Sequence, residues 1–239
     1  MNKKTTIYDI ARALGITVST VSRALNNVPT ISEATRQLVL SKAKELNYSV
    51  NKIASSLSSG RSNTIGVIVP TMQIHFFAEA VHSIEKELKK HNYSLLLYQS
   101  NESYMDEVNG VKTLLEAQVD GIIASLSLET QQIAHFQEVI KQGKCLIIFD
   151  RTHRDIAAPV VKLNDFEAGY LATKHLIEQG YQKIGFITTN KEIAIFQDRF
   201  SGFEAALKEA DLPQLNELIV QGELSIEAGI KGTEQILQS

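Results

Sequence analysis

Residues Thr6 to Asn27, TIYDIARALGITVSTVSRALNN, read as two short helices with a tight turn between them. Ile7, Ile10, Ala11 and Leu14 stand at i, i+3, i+4 and i+7, the spacing of a single helical face. Thr6 is placed to cap that helix, Asp9 sits in its first turn, and Gly15 is placed to end it. Thr17 is a natural N-cap for a second helix over residues 18 to 26, so the connection is about three residues long and contains a glycine, as in a helix-turn-helix unit. At 100° per residue, Val21, Ala24 and Leu25 share one face of the second helix, which is expected to pack. Val18, Ser19, Ser22 and Arg23 share the other. An arginine suits guanine, and a valine or threonine methyl suits the thymine methyl. An ordinary surface helix that carries Ser and Arg is the plain alternative. Ser32 with Glu33 opens a third helix, whose stripe is expected to hold Leu38, Val39, Lys42, Ala43 and Leu46.

Charge is distributed unevenly along the chain. Residues 1 to 61 hold nine Lys and Arg against three acids (Asp9, Glu33 and Glu45), whereas the remainder holds 15 against 24. A basic segment on an acidic body is the footprint of a protein that meets a polyanion through that segment alone.

From residue 62 the pattern changes. Apolar runs at 65–70, 94–98, 119–124, 145–149, 183–187 and 217–220, with a possible further one near 160–163, alternate with helical stretches at about 76–91, 104–117, 130–142, 166–179, 196–210 and 225–237. The runs are continuous, as in strands buried on both faces, so the body reads as a doubly wound parallel α/β sheet. Such sheets bind ligands beyond the carboxyl ends of their strands. The Ser/Gly-rich stretch SSLSSGRS (55–62) marks the boundary between the all-α segment and the body.

Several function classes have no support. The chain is 239 residues long and 44% hydrophobic, and no apolar run approaches the length that spans a bilayer. With no secretory signal pattern at its start, it reads as cytoplasmic, with no membrane partner. Nucleophile-elbow, zincin, dinucleotide and phosphate-loop motifs are missing, and the six histidines lack metal-ligand spacing. Neither catalytic residues, cofactors nor metals are therefore expected. Cys145, the single cysteine, lies in the apolar run CLIIF and is expected to be a buried structural thiol.

The stretch 6–27, followed by ISEATRQLVLSKAKELNYSVNKIASSL (31–57), resembles the headpiece of the lactose/galactose repressor (LacI/GalR) family over more than fifty residues with matching spacing. The resemblance implies a transcriptional regulator, a repressor, that binds a pseudo-palindromic operator as a homodimer under control of a small-molecule effector, a sugar or sugar phosphate. It implies base contacts by Val18, Ser19 and Arg23. Thr6, Thr17, Thr20, Ser22 and Asn26 would hold phosphates or the helix start. Residues 51 to 59 would form a hinge helix too short to persist alone, with Leu57 wedged into the minor groove. Val50 and Ser55 depart from the Pro and Arg often found at their positions.

The body resembles the family's effector-binding core, itself similar to periplasmic sugar-binding proteins. On that resemblance Phe76, Phe77, Asp150, Asp165 and Arg199 line the effector site; either Phe could instead anchor its helix, and Asn164–Asp165 reverses a more usual order. The implied organisation is a headpiece over 1–49, a hinge over 50–61, a first subdomain over 62–162 and a partial second subdomain over 163–239. Family members continue further, so the second sheet is expected to be incomplete and the chain a shortened form of a longer regulator. Dimerisation, operator binding and ligand gripping are expected to suffer accordingly. The competing readings are a ligand-binding protein without a DNA role, an α/β enzyme, and a non-functional truncated regulator.

Overall fold

The computed structural model describes residues 5–48, 60–189 and 193–239. The expected hinge helix, with Leu57, lies outside the described residues. Contacts divide the chain into two compact units, Met1–Gly60 and Arg61–Ser239.

The first unit holds α1 (Ile7–Leu14), α2 (Val18–Leu25) and α3 (Glu33–Glu45). Its core is Ile10, Ala11, Val21, Ala24, Val39 and Ala43, ringed by half-buried residues that include Leu14, Ile16, Ile31 and Leu46. The serine cap expected for α3 is present, with Ser32 Oγ accepting the Thr35 amide at 3.2 Å. One stripe residue departs from expectation. Leu38 is 53% exposed, because the inward line on α3 runs through Val39, Ala43 and Leu46, and Leu38 lies 100° away from Val39.

In the second unit, β1 (Thr64–Val69), β2 (Ser94–Gln99), β3 (Gly121–Ala124), β4 (Cys145–Phe149) and β5 (Val160–Val161) form a sheet in the order β2-β1-β3-β4-β5, every pairing parallel. The crossovers are α4 (His75–Lys90), α5 (Tyr104–Glu116) and α6 (Ala134–Lys141). Successive β1 residues serve opposite faces. Ile68 joins Leu114, Ile122, Phe136 and Ile148 beneath α5 and α6, while Val67 and Val69 join Phe77, Val81 and Phe149 beneath α4. That two-sided burial is why the central runs are continuous. At the margins the expectation fails. Leu96 and Leu97 of the edge strand β2 are each 39% exposed, and Cys145, which opens β4, is exposed rather than buried. Cys145 and Ile147 stand on one side of β4 and are both exposed, so the covering helices leave that side open there, as they leave the edge strand β2.

Residues 165 to 239 form α7 (Asp165–Glu178), β6 (Phe186–Thr189), α8 (Ala194–Glu209), β7 (Ile219–Gly222) and α9 (Ile226–Gln238), with β6 and β7 parallel in a second, two-stranded sheet. The apolar runs at 183–187 and 217–220 are thus strands displaced by two or three residues towards the carboxyl end. Residues Asn216–Leu218 form a 3₁₀ turn, and the run near 160 belongs to the first sheet. Helices α7 and α8 touch backbone to backbone through Gly169 and Gly202. A Cβ on Gly169 would stand 2.1 Å from the Arg199 carbonyl oxygen, and one on Gly202 2.0 Å from that of Phe166.

Candidate functional site

Two sets of side chains carry the expected chemistry, one in each unit. In the first, Thr6 and Asp9 cap α1 reciprocally. The Thr6 amide and hydroxyl donate to Asp9 Oδ2 at 2.9 and 2.7 Å. Gly15 then takes φ 62°, the left-handed turn that ends α1 and lets α2 begin three residues later. Thr17 caps α2, its hydroxyl accepting the Thr20 amide at 3.2 Å and lying 2.8 and 2.9 Å from the hydroxyls of Ser19 and Thr20.

Of the expected base-contacting residues, Ser19 and Arg23 are exposed on the face opposite buried Val21 and Ala24. No acid among the described residues pairs with Arg23, so its guanidinium fork is free. Val18 is half-buried and packs on the headpiece core, offering only part of its side chain. Thr6, Thr17 and Asn26 are exposed, and Thr20 and Ser22 are half-buried.

In the second unit, the loops after β1, β2, β3 and β4 gather beyond the carboxyl ends of the strands. The two phenylalanines that open α4 have different fates. Phe77 is 2% exposed, anchored edge-on against Phe149, whereas Phe76 is 47% exposed with its ring edge-on to Phe77 at 5.2 Å. Phe77 thus takes the helix-anchoring alternative, and Phe76 alone presents a free aromatic surface.

After β4, Asp150 has φ 58° and sends its amide to the Val161 carbonyl at 2.9 Å. Its half-buried carboxyl accepts no hydrogen bond from the described residues. Burial pushes that carboxyl above the ordinary aspartate value, with Arg151 and Arg199 pulling it down and Asp165 adding to the rise. Arg151, Arg199 and Asp165 therefore all stand close enough to act on the Asp150 carboxyl. Asp165 is 4% exposed and accepts Arg199 Nε at 2.8 Å, while Asn164 caps α7 by accepting the Glu167 amide. The Arg199 side chain is 41% exposed and its two terminal nitrogens have no partner among the described residues.

Arg151, which family resemblance pairs with Asp150 at the end of β4, and two residues that sequence reasoning did not assign, Glu102 and Glu107, organise the rim of the site. Arg151 is buried, its guanidinium lies 5.4 Å over the Phe77 ring, and Nη1 donates to both Glu102 oxygens at 2.9 and 2.6 Å. Glu102, itself at φ 62°, also accepts the Leu128 amide at 2.9 Å. Fully buried Glu107 accepts the Ser127 amide at 2.7 Å and the Thr130 hydroxyl at 2.8 Å and lies 2.8 Å from His135 Nε2. The loops after β2, β3 and β4 are fastened together by these carboxylates. A separate hollow of about 480 Å³ between α5 and α6 is lined by residues including Val111, Leu115 and His135, and by none of the expected effector residues. Among the described residues, no helix is long and apolar enough to cross a membrane, and no group of His, Cys, Asp and Glu is arranged to hold a metal ion.

Residues 6–51 match the model for bacterial regulatory proteins of the lacI family, and residues 62–239 match that for periplasmic binding proteins and the sugar-binding domain of the LacI family. The chain belongs to the LacI family. Among its relatives, the HTH-type transcriptional repressor PurR of Vibrio vulnificus (strain CMCP6) is 31% identical over 97% of this chain and 69% of the relative. The HTH-type transcriptional regulator DegA of Bacillus subtilis (strain 168) is 30% identical over 98% and 70%. The relatives are transcriptional regulators, not enzymes. The LacI-family fold is shared with the lac repressor dimer bound to operator and an anti-inducer, at 22% identity and a TM-score of 0.83, covering 99% of this chain and 71% of that one. A LacI-family regulator from Silicibacter pomeroyi aligns at 26% identity with a TM-score of 0.75, covering 98% and 70%.

Proposed function

We propose that this LacI-family chain is a cytoplasmic repressor that binds a pseudo-palindromic operator as a homodimer and whose DNA affinity is set by a carbohydrate effector, a sugar or sugar phosphate. The observation that carries the DNA part is the α2 surface, where Ser19 and Arg23, the latter without a partner among the described residues, stand exposed opposite the buried Val21 and Ala24. A recognition helix presents such residues to base edges in the major groove. In this reading Val18, Ser19 and Arg23 contact bases. Thr6, Thr17, Thr20, Ser22 and Asn26 position the headpiece on phosphates, and Leu57 wedges a base step of the minor groove.

The effector part rests on the cleft chemistry. Phe76 offers an aromatic surface, Asp150 an acceptor without a donor, and Arg199, held by Asp165, a set of free donors.

The test is to select binding fragments from random DNA with the wild-type chain, with and without candidate sugars, and then compare wild type with Arg23→Ala on every single-base variant of the selected site. Arg23→Ala is expected to cost about 1 to 3 kcal/mol and to relax preference at one symmetric position. Equal affinity of Arg23→Ala and wild type for all variants overturns the base-contact assignment.

A further inference from the structure

The five charged side chains at the cleft are not equally available to a ligand. Asp165 and Arg199 neutralise each other in part through the 2.8 Å contact, but leave the terminal nitrogens of Arg199 without a partner among the described residues. The Arg151 guanidinium is withdrawn. Its side chain is 4% exposed, Nη1 is spent on Glu102, and its face lies on Phe77. The Nε of Arg151 and the hydroxyl of fully buried Ser100 have no partner among the described residues, so this floor already holds more polar hydrogen than those residues satisfy. Three carboxylates (Glu102, Asp150 and Asp165) thus face two guanidinium groups, of which one is masked.

We infer that Glu102 sets the charge class of the effector: by masking Arg151 it leaves the cleft with a net negative charge suited to an uncharged polyhydroxylated ligand and hostile to a phosphorylated one. An uncharged polyol donates its hydroxyls to the open carboxyl of Asp150, accepts from the free nitrogens of Arg199, and lays its apolar face on Phe76. A phosphate dianion would meet Asp150, whose burial already disfavours its own negative charge, and would find one half-exposed guanidinium in place of two. Glu102 is a specificity-determining residue that acts through Arg151 and touches no ligand itself.

The inference rests on the effector reading above, and the test separates the two. Wild-type protein is titrated calorimetrically with matched pairs: ribose and ribose 5-phosphate, glucose and glucose 6-phosphate, fructose and fructose 1-phosphate. Wild type is expected to bind one or more free sugars at least tenfold more tightly than the matching phosphate. Glu102→Gln unmasks a positive charge and is expected to raise the phosphate-to-sugar affinity ratio about tenfold, the scale of one unit charge roughly 10 Å away at an effective dielectric near 20. Arg151→Gln leaves Glu102, a quarter exposed, still bonded to the Leu128 amide. That variant is expected to fold, to bind the free sugar and to reject the phosphate at least as strongly as wild type. The Glu102→Gln/Arg151→Gln double variant, with the charge balance restored, is expected to return to the wild-type ratio, which a purely structural role of Glu102 does not produce.

Tighter binding of the phosphate by wild type, or loss of sugar binding in folded Arg151→Gln, overturns the inference and leaves the effector reading standing. Failure of folded wild type to bind any member of the panel overturns the carbohydrate reading itself.

Discussion

The close approach of α7 and α8 at Gly202 and the open space at Gly229 of α9 make opposite predictions for two chemically identical substitutions. At Gly202 a Cβ would stand 2.0 Å from the Phe166 carbonyl oxygen and 2.7 Å from the Tyr170 amide nitrogen, both main-chain atoms that cannot rotate aside. Relief to the roughly 3.5 Å at which unbonded heavy atoms attract requires the two helices to part by about 1 Å or more. Alanine gains about 0.8 to 1 kcal/mol of helix propensity over glycine, but overpacking costs about 1 to 3 kcal/mol, and here the separation also loosens Phe203, Leu207 and the contact between Asp165 and Arg199. The expected net loss for Gly202→Ala is about 1 to 2 kcal/mol, a fall in melting temperature of about 2 to 8 °C for a unit of this size. Gly229, inside α9, has nothing within 4 Å of its would-be Cβ, so Gly229→Ala is expected to gain about 0.5 to 1 kcal/mol. Differential scanning calorimetry of both variants beside wild type checks the pair. A Gly202→Ala protein that melts at or above wild type refutes the close approach, whatever Gly229→Ala does.

Two further outcomes follow from buried charge. Glu107→Leu leaves the Ser127 amide, the Thr130 hydroxyl and a His135 ring nitrogen facing an apolar side chain, and is expected to cost about 3 to 5 kcal/mol by urea denaturation; a loss under about 1 kcal/mol contradicts the closed network. At Asp150 the folded state binds its proton more tightly than the unfolded state, because burial raises the carboxyl above the ordinary value of 3.8. Stability therefore falls as pH climbs from about 3.8 through the raised value, and the penalty is constant above it. Asp150→Asn, tolerated at φ 58°, removes that penalty, so it is expected to melt above wild type at pH 7 with the gap closing as pH falls towards 4; a gap that widens on acidification contradicts the sign.

What could be read ahead of the structure followed from how local the controlling forces are. The caps Thr6, Thr17 and Ser32 and the stop Gly15 act within four residues of themselves, and α1 to α3 fall where those residues place them. The central strands were legible because burial on both faces leaves a continuous apolar signature, which is lost at the margins. Nothing within CLIIF or SLLLY says that Cys145 opens its strand uncovered or that β2 is an edge, since both facts depend on which strands lie alongside. Phe76 and Phe77 differ by a single helical step. Phe77 shares its side of α4 with Val81 and Ile84, a phase visible in the sequence only once the start of the helix is fixed.

The carboxylates at the rim lie at the far end of this scale. Glu102 meets Arg151 across 49 residues, from loops whose composition carries no period, and Glu107 meets His135 across 28, between helices α5 and α6 that only the packing on the sheet brings together. Family resemblance implies an effector role for Asp150, Asp165 and Arg199, but it does not say which charges remain free once the loops are packed. That depends on pairing: Arg199 keeps its terminal donors because Asp165 takes only Nε, whereas Arg151, one residue from Asp150, is given over to Glu102. Two arginines of identical chemistry at one cleft therefore have different roles, and a carboxylate in the loop after β2 decides between them.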